Sequence, residues 1–452
     1  MMKNYSDAIK YLESFNSKNS QIVLMGAFGL ERCKYLIKLM NNPQDKYQVV
    51  HVAGTSGKGS VAYITSKILK TTKRRIGLHQ TPCLGEITEL IQINNKAISQ
   101  EKFTLYLSQI QPFVDKMDSL PFGRPRYFEV IIGLTYWTFW QERVDIAVIE
   151  VALGGLYDCT NTISNPSKVS VIGRLGLDHQ DFLGNTISEI AYQKAGIIKQ
   201  GNQIIALKSN KVSDQIIAHC ASKYNNKLYQ VGKINFDIVN TDQGGSVFNF
   251  EFEGLQIDSL KLSLVGDFQV ENCSIAIAVC VILFKQLKIS LEVSTITTAC
   301  MSMNFLGRFH ISRNHDMTWI VDGAHNPQKM EALVGSIIKL FPNISFNILF
   351  SCKGGKNISE MIKILSPIIN NWFLVEFTSH QSGFTRPIPN EVLEREILHI
   401  NSGAKIHKLS STRKGLQLIT NLRNEHNLIT GSLYLLSDVY KIKFDIFGQS
   451  VI

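Results

Sequence analysis

The chain has 452 residues, more than one hydrophobic core usually organises, so two domains are expected. Hydrophobic residues make up 44% and charged residues 19%, the balance of a soluble globular enzyme, and the net charge of +10 comes from scattered lysines and arginines with no long basic run, which speaks against nucleic acid; a basic cleft for anionic substrates explains the charge, and so does mere solubility. The eight cysteines are spread singly from Cys33 to Cys352 without a Cys-x-x-Cys pair, which speaks against a zinc site or a disulfide framework and for reduced thiols in the cytoplasm.

In chain order, the residues from Met1 to Asp7 lack the apolar core of a signal peptide. Residues 49–53 form an apolar run that predicts a buried strand, and after Gly54-Thr55-Ser56-Gly57-Lys58-Gly59-Ser60 the residues Val61, Ile64 and Ile68 fall on one helical face. Strand, glycine turn, lysine, hydroxyl and helix make a phosphate nest. Glycines let backbone N–H groups reach the anion, the helix N-terminus adds positive potential, Lys58 reaches the outer phosphates and Ser60 can sit on a metal ion. ATP is the expected ligand.

Residues 145–150 predict a short strand ending in Glu150, a carboxylate placed to hold Mg²⁺ beside the phosphate loop. Residues 169–172 predict another strand, leading to Asp178 and His179. Alternating strands and helices indicate a parallel α/β sheet with ligands at the carboxyl ends of its strands. Residues 229–264 alternate apolar and polar positions around Gly244-Gly245, as antiparallel hairpins do. The longest apolar stretch, residues 273–284, is too short to span a bilayer and predicts a buried helix. A second α/β series follows Phe305, with strands expected at 319–322, 346–350, 372–375 and 427–430. The reading is thus an α/β protein. Residues 1–303 form a P-loop-containing parallel-sheet ATPase domain, and residues 304–452 a smaller Rossmann-like α/β domain.

Only Thr55 and Ser56 separate Gly54 from Gly57, where the common P-loop has four residues. In this short form the segment from His51 to Ser60 resembles the nucleotide loop of folylpolyglutamate synthases and dihydrofolate synthases, relatives of the Mur ligases. Other segments resemble that family in the same order: Glu150 to Asn161, Asp178-His179 to Gly184, Ile190 to Ile197, Leu264 to Asn272, Leu306-Gly307-Arg308-Phe309, Asp322-Gly323-Ala324-His325-Asn326-Pro327, and Thr430 to Leu435. The likeness runs from Leu30 to Val439.

The resemblance implies an ATP-dependent ligase. ATP phosphorylates the carboxylate of a folate or of dihydropteroate, and the amine of L-glutamate displaces phosphate from the acyl phosphate. It implies Lys58, Lys194 and His325 as catalytic residues, Lys194 as a carbamylated, metal-bridging group, and two Mg²⁺ ions on Ser60, Thr81, Glu150 and His179. It implies nucleotide contacts from the loop 54–60 and from Asn272, Arg308 and Asp322. Glu129, Tyr157, Asp158, Cys159 and Thr160 are the implied substrate-binding residues, with the glycines at 154 and 155 letting substrate approach the backbone. No nucleic acid and no membrane partner is expected, and a cytoplasmic monomer is.

The chain also departs from the family pattern. Cys83 stands where the family has histidine, Leu90 and Leu156 where it has arginines, and Gln193 where it has an acid beside the lysine. These departures leave open the choice between folylpolyglutamate and dihydrofolate synthesis. Two rivals also stay open: a Mur-type ligase on another carboxylate, and a nucleotide-binding regulator without catalysis. Retention of Lys58, Glu150, His179 and Lys194 speaks against the regulator.

Overall fold

Strand β1 (Gln48–Ala53) is buried at every position after its first, as a strand covered on both faces must be. It sits inside an eight-stranded sheet with β2 (Ile76–His79), β3 (Ile91–Ile93), β4 (Lys96–Ala97), β5 (Ile146–Glu150), β6 (Val169–Ile172), β7 (Gln203–Leu207) and β8 (Leu228–Val231), in the order β4-β3-β2-β5-β1-β6-β7-β8. The six strands from β2 to β8 in that order are parallel, and β3 and β4 add an antiparallel edge. The computed structural model describes residues 2–16, 26–314, 316–378, 386–422 and 425–442.

The expected hairpin region divides in two. Leu228–Val231 is the edge strand β8, parallel to β7, and its half-exposed position explains why it alternates like a hairpin strand. Antiparallel pairing begins only with β9 (Phe236–Asp242), β10 (Gly245–Phe252) and β11 (Leu255–Leu262), a separate three-stranded sheet. Between this small sheet and the large one runs the helix Asp267–Leu287. Every residue from Asn272 to Phe284 is buried, against the helix Lys58–Lys70 and the apolar face of β9–β11. Among the described residues it is the one helix long and apolar enough to cross a membrane; a helix apolar on all sides is also what the interior of a large domain requires.

The second sheet contains β12 (His310–Asn314), β13 (Met317–Val321), β14 (Phe346–Phe350), β15 (Ile369–Leu374), β16 (Lys405–Lys408) and β17 (His426–Thr430), ordered β12-β13-β17-β14-β15-β16. All but β12 run parallel, with an apolar cluster on each face. The sequence pattern does not reveal β12 or β16, because edge strands carry polar side chains that hide the period of two. Where the chain passes between the sheets, Tyr63 stacks on Phe305 with centroids 4.3 Å apart, and its hydroxyl donates to the Asn304 carbonyl at 2.6 Å.

Candidate active site

Strand β1 ends between β5 and β6, and the glycine loop that follows it is held by the segment after β6. The Thr55 and Ser56 N–H groups donate to the Arg174 carbonyl at 2.8 and 3.2 Å, and the Thr55 hydroxyl donates to the Gly176 carbonyl at 3.0 Å. Gly57 caps the helix Lys58–Lys70 at φ +80°, a left-handed conformation that favours glycine. A Cβ there would also overlap the side-chain amide oxygen of Asn272, so Asn272 lies directly on the loop. Lys58 folds back over it, with Nζ donating to the Gly54 carbonyl at 3.1 Å. The N-terminus of the helix Lys58–Lys70 and the Lys58 ammonium thus lie together, as an anion site requires, while the Thr55 and Ser56 N–H groups brace the loop.

Glu150 closes β5, one strand away in register with Val52. It is buried and accepts the Thr81 N–H at 3.2 Å. Burial raises its pKa, against Lys58, the Thr81 N–H and Arg308. A Cβ on Gly59 would lie 3.5 Å from the Glu150 Oε2 and 3.7 Å from an Arg308 Nη, so three separate segments meet at this point. Thr81 bonds Glu150 through its N–H, and Ser60 follows Gly59 at the same point, so two hydroxyl-bearing residues flank this carboxylate. One carboxylate plus hydroxyl and phosphate oxygens suits Mg²⁺, which rarely takes a full protein cage. Among the described residues no group of three or more His, Cys, Asp or Glu side chains converges as a metal cluster. His179 fits less directly: its Nε2 lies 3.4 Å from the Lys356 Nζ, and burial, then Lys356, take its pKa down to about 3.

The second domain covers the loop. Gln328 accepts the Ser56 hydroxyl at 2.9 Å and donates to the Leu175 carbonyl at 3.2 Å. Asn326 donates to Asp178 at 2.9 Å, and Lys356, in the glycine turn after β14, pairs with the same carboxylate at 2.6 Å with both side chains nearly buried. Burial opposes ionisation of Asp178, yet Lys356 and His179 hold it well below the usual carboxylate range. Asp322 is fixed by the Phe309 and Ala324 N–H groups, each at 2.7 Å. Burial raises its pKa and Arg308 lowers it. Asp178, Asn326, Gln328 and Lys356 were not expected as site residues. A glycine pair and lysine following a strand, Gly354-Gly355-Lys356, is the signal that could have found Lys356.

Lys194 is buried near the end of the helix Ile187–Ala195. Burial and Lys58 hold its ammonium well below the usual lysine range, against Asp178 and Asp158. The glycine at 155 has a packing use as well. A Cβ on Gly155 would meet the Gln193 and Lys194 carbonyl oxygens at 2.8 Å, so this glycine lets the loop after β5 pack on the backbone of the lysine helix. Gly155→Ala is therefore expected to destabilise the protein by about 1–3 kcal/mol through overpacking. Chemical denaturation checks this, and an unchanged midpoint contradicts it.

Most residues expected to bind substrate face inward. Asp158 accepts from Leu153 N and Thr160 N, each at 2.9 Å, and from the Thr160 hydroxyl. Thr160 in turn lies 2.8 Å from the Nε2 of the buried His51. The Cys159 carbonyl accepts from Thr162, and its side chain packs on the apolar cluster around the helix Tyr127–Gln141. Glu129 makes a buried bidentate pair with Arg32 at 2.7 and 2.8 Å. Tyr157 alone of the five is exposed. Leu90 and Cys83 fill that same apolar cluster, so these two departures are absorbed by packing.

Family models match two parts of the chain: the Mur ligase middle domain over residues 130–280, and the dihydrofolate synthetase C-terminal domain over residues 307–442. A dihydrofolate synthase/folylpolyglutamate synthase of Bacillus subtilis is 29% identical over 91% of this chain and 94% of its own length. The Mycobacterium tuberculosis folylpolyglutamate synthase complexed with ADP and AMPPCP superimposes with a TM-score of 0.83 at 25% identity, covering 91% of this chain and 95% of that one. An FPGS–AMPPCP–folate complex gives 0.79 at 26% identity, covering 98% and 100%.

Proposed function

Because the chain belongs to the folylpolyglutamate synthase/dihydrofolate synthase family of Mur-type ligases, we propose that it is an ATP-dependent ligase that adds L-glutamate to a reduced folate, to dihydropteroate, or to both. The observation that carries this reading is the phosphate loop of one domain roofed by Gln328 and Arg308 of the other, with Lys58 and Glu150 at the point where they meet. Such a site is complete only when both domains contribute, which suits a reaction that must exclude water from an acyl phosphate.

In this reading residues 1–303 hold the nucleotide and residues 304–452 close on it. The loop 54–60 cradles the phosphates, Lys58 offsets their charge, Asn272 and Asp322 contact the nucleotide, and Arg308 reaches its phosphates across the cleft. Ser60, Thr81 and Glu150 would hold one Mg²⁺, and His179 would help to hold a second. Magnesium, when bound, neutralises charge on the phosphate oxygens. His325 lies beside the incoming amino acid, and Tyr157 is the exposed residue left to meet the pterin side. The protein acts on small molecules in the cytoplasm as a monomer.

The test is ADP release by the purified protein with glutamate, comparing dihydropteroate, tetrahydrofolate and a cell-wall precursor. Release with either pteroyl acceptor is expected; release with the cell-wall precursor alone moves the protein to another ligase branch. Lys194 is proposed to be carbamylated, since an amine kept neutral by burial is the form that adds carbon dioxide. Carbon-13-labelled bicarbonate should give a carbamate resonance that Lys194→Gln removes. Its absence in a fully active wild-type protein would leave Lys194 a packing residue.

A further inference from the structure

Lys329 lies in the first turn of the helix Pro327–Leu340, where the helix dipole disfavours a cation. Its Nζ is 3.0 Å from the Nε2 of His325, whose Nδ1 is 2.7 Å from the Gly323 carbonyl. A carbonyl only accepts, so Nδ1 carries the imidazole proton and Nε2 accepts from the lysine. Burial, then Lys329 itself, keeps this imidazole uncharged. One N–H of Lys329 is thereby fixed.

The charged groups around it come from both domains: Lys58 at the start of its helix, Arg308 ahead of β12, Lys356 after β14, and the carboxylates Asp178 after β6, Glu150 at the end of β5 and Asp322 after β13. Its chain neighbours Asn326 and Gln328 bond to the first domain, Asn326 to Asp178 and Gln328 to Ser56 of the glycine loop, each at 2.9 Å, so Lys329 sits where the two domains meet. Burial and Lys58 bring its pKa down to about 7, against Asp178. A permanently charged structural lysine would gain nothing from this position. A group that changes protonation near neutral pH is suited to it.

Resting on the ligase reading above, we propose that Lys329 is the base of the ligation step, its amine taking the proton that the incoming amino group gives up while His325 holds it by an N–H bond. The C–N bond forms and an N–H bond of the amine breaks. The proton goes to the Lys329 Nζ, and the acyl C–O bond breaks with its electron pair leaving on phosphate. His325 is then a positioning residue for Lys329 as well as a neighbour of the amino acid.

The test compares wild type, Lys329→Arg and Lys329→Ala in the full-length protein, with glutamate and with hydroxylamine as nucleophile. Hydroxylamine is unprotonated at neutral pH and traps the acyl phosphate as a hydroxamate without a strong base. Both variants are expected to lower kcat with glutamate by about a hundredfold. They should also lose the acid limb near pH 7 of the kcat profile, while keeping the KM for ATP and the rate of hydroxamate formation. Wild-type kcat in Lys329→Arg would show that only the charge matters and would overturn the proposal. So would a parallel loss of hydroxamate formation in either variant, which would place Lys329 in the activation step. The arginine variant preserves bulk and charge, so it decides the matter if the alanine variant fails to fold. Wild-type protein that forms neither hydroxamate nor ligated product from any pteroyl acceptor would instead sink the ligase reading itself.

Discussion

Replacing Lys58 with alanine is expected to lower turnover by about a hundredfold or more, the scale of removing one preorganised charged donor from a transition state. Its Nζ already rests on the Gly54 carbonyl, inside the loop and at the N-terminus of its helix, so binding need not order it from solvent. The same charge depresses ionisation of Lys194 and favours that of Glu150. The variant should therefore show a double signature, slower ADP release together with a weaker response to magnesium. Steady-state ADP release across a magnesium series measures both. A folded variant with wild-type turnover would remove the nucleotide assignment of the loop.

Replacing Glu129 with alanine is expected to cost about 3–5 kcal/mol of stability, because it strands the Arg32 guanidinium in the interior. Both side chains are no more than 4% exposed, and their geometry is bidentate. Glu129 also accepts the Arg126 N–H at 3.1 Å at the start of the helix Tyr127–Gln141, so a helix start is lost with the pair. Equilibrium denaturation measures the loss. The double replacement Arg32→Met with Glu129→Leu should recover most of it, since two apolar side chains leave no charge unpaired. A raised KM for the pteroyl substrate with unchanged stability would instead make Glu129 a binding residue.

What could be read in the sequence is what is local. The glycine turn between a strand and the helix Lys58–Lys70 is legible because strand, glycines, lysine and helix are contiguous, and the strand end at Glu150 because an apolar run ends in a carboxylate. The doubly covered sheet follows from continuous apolar strands such as β1 and β14. What could not be read is whatever depends on distant segments meeting. Ser56 and Gln328 are 272 positions apart, and Asp178 and Lys356 are 178 apart; only the placement of the second sheet joins them. The inward turn of Asp158 and Thr160 was hidden for a related reason. Polar residues after a strand look alike whether they face a cleft or bond to a buried histidine such as His51. The use of Gly155 depends on how closely the lysine helix approaches, which no glycine count reveals.

The helix Asp267–Leu287 carries a consequence for synthesis. Its main packing surfaces, the helix Lys58–Lys70 and the strands from β6 to β10, precede it in the chain, while the helix Val293–Met301, whose Cys300 lies 3.6 Å from Cys273, follows it. A nascent polypeptide emerging N-terminus first therefore presents a prepared groove before its most apolar segment leaves the ribosome, and that segment need not wait unshielded in water. Moving it ahead of its groove by circular permutation would keep every native contact while reversing this order, and the yield of soluble protein would fall even where the finished molecule is equally stable.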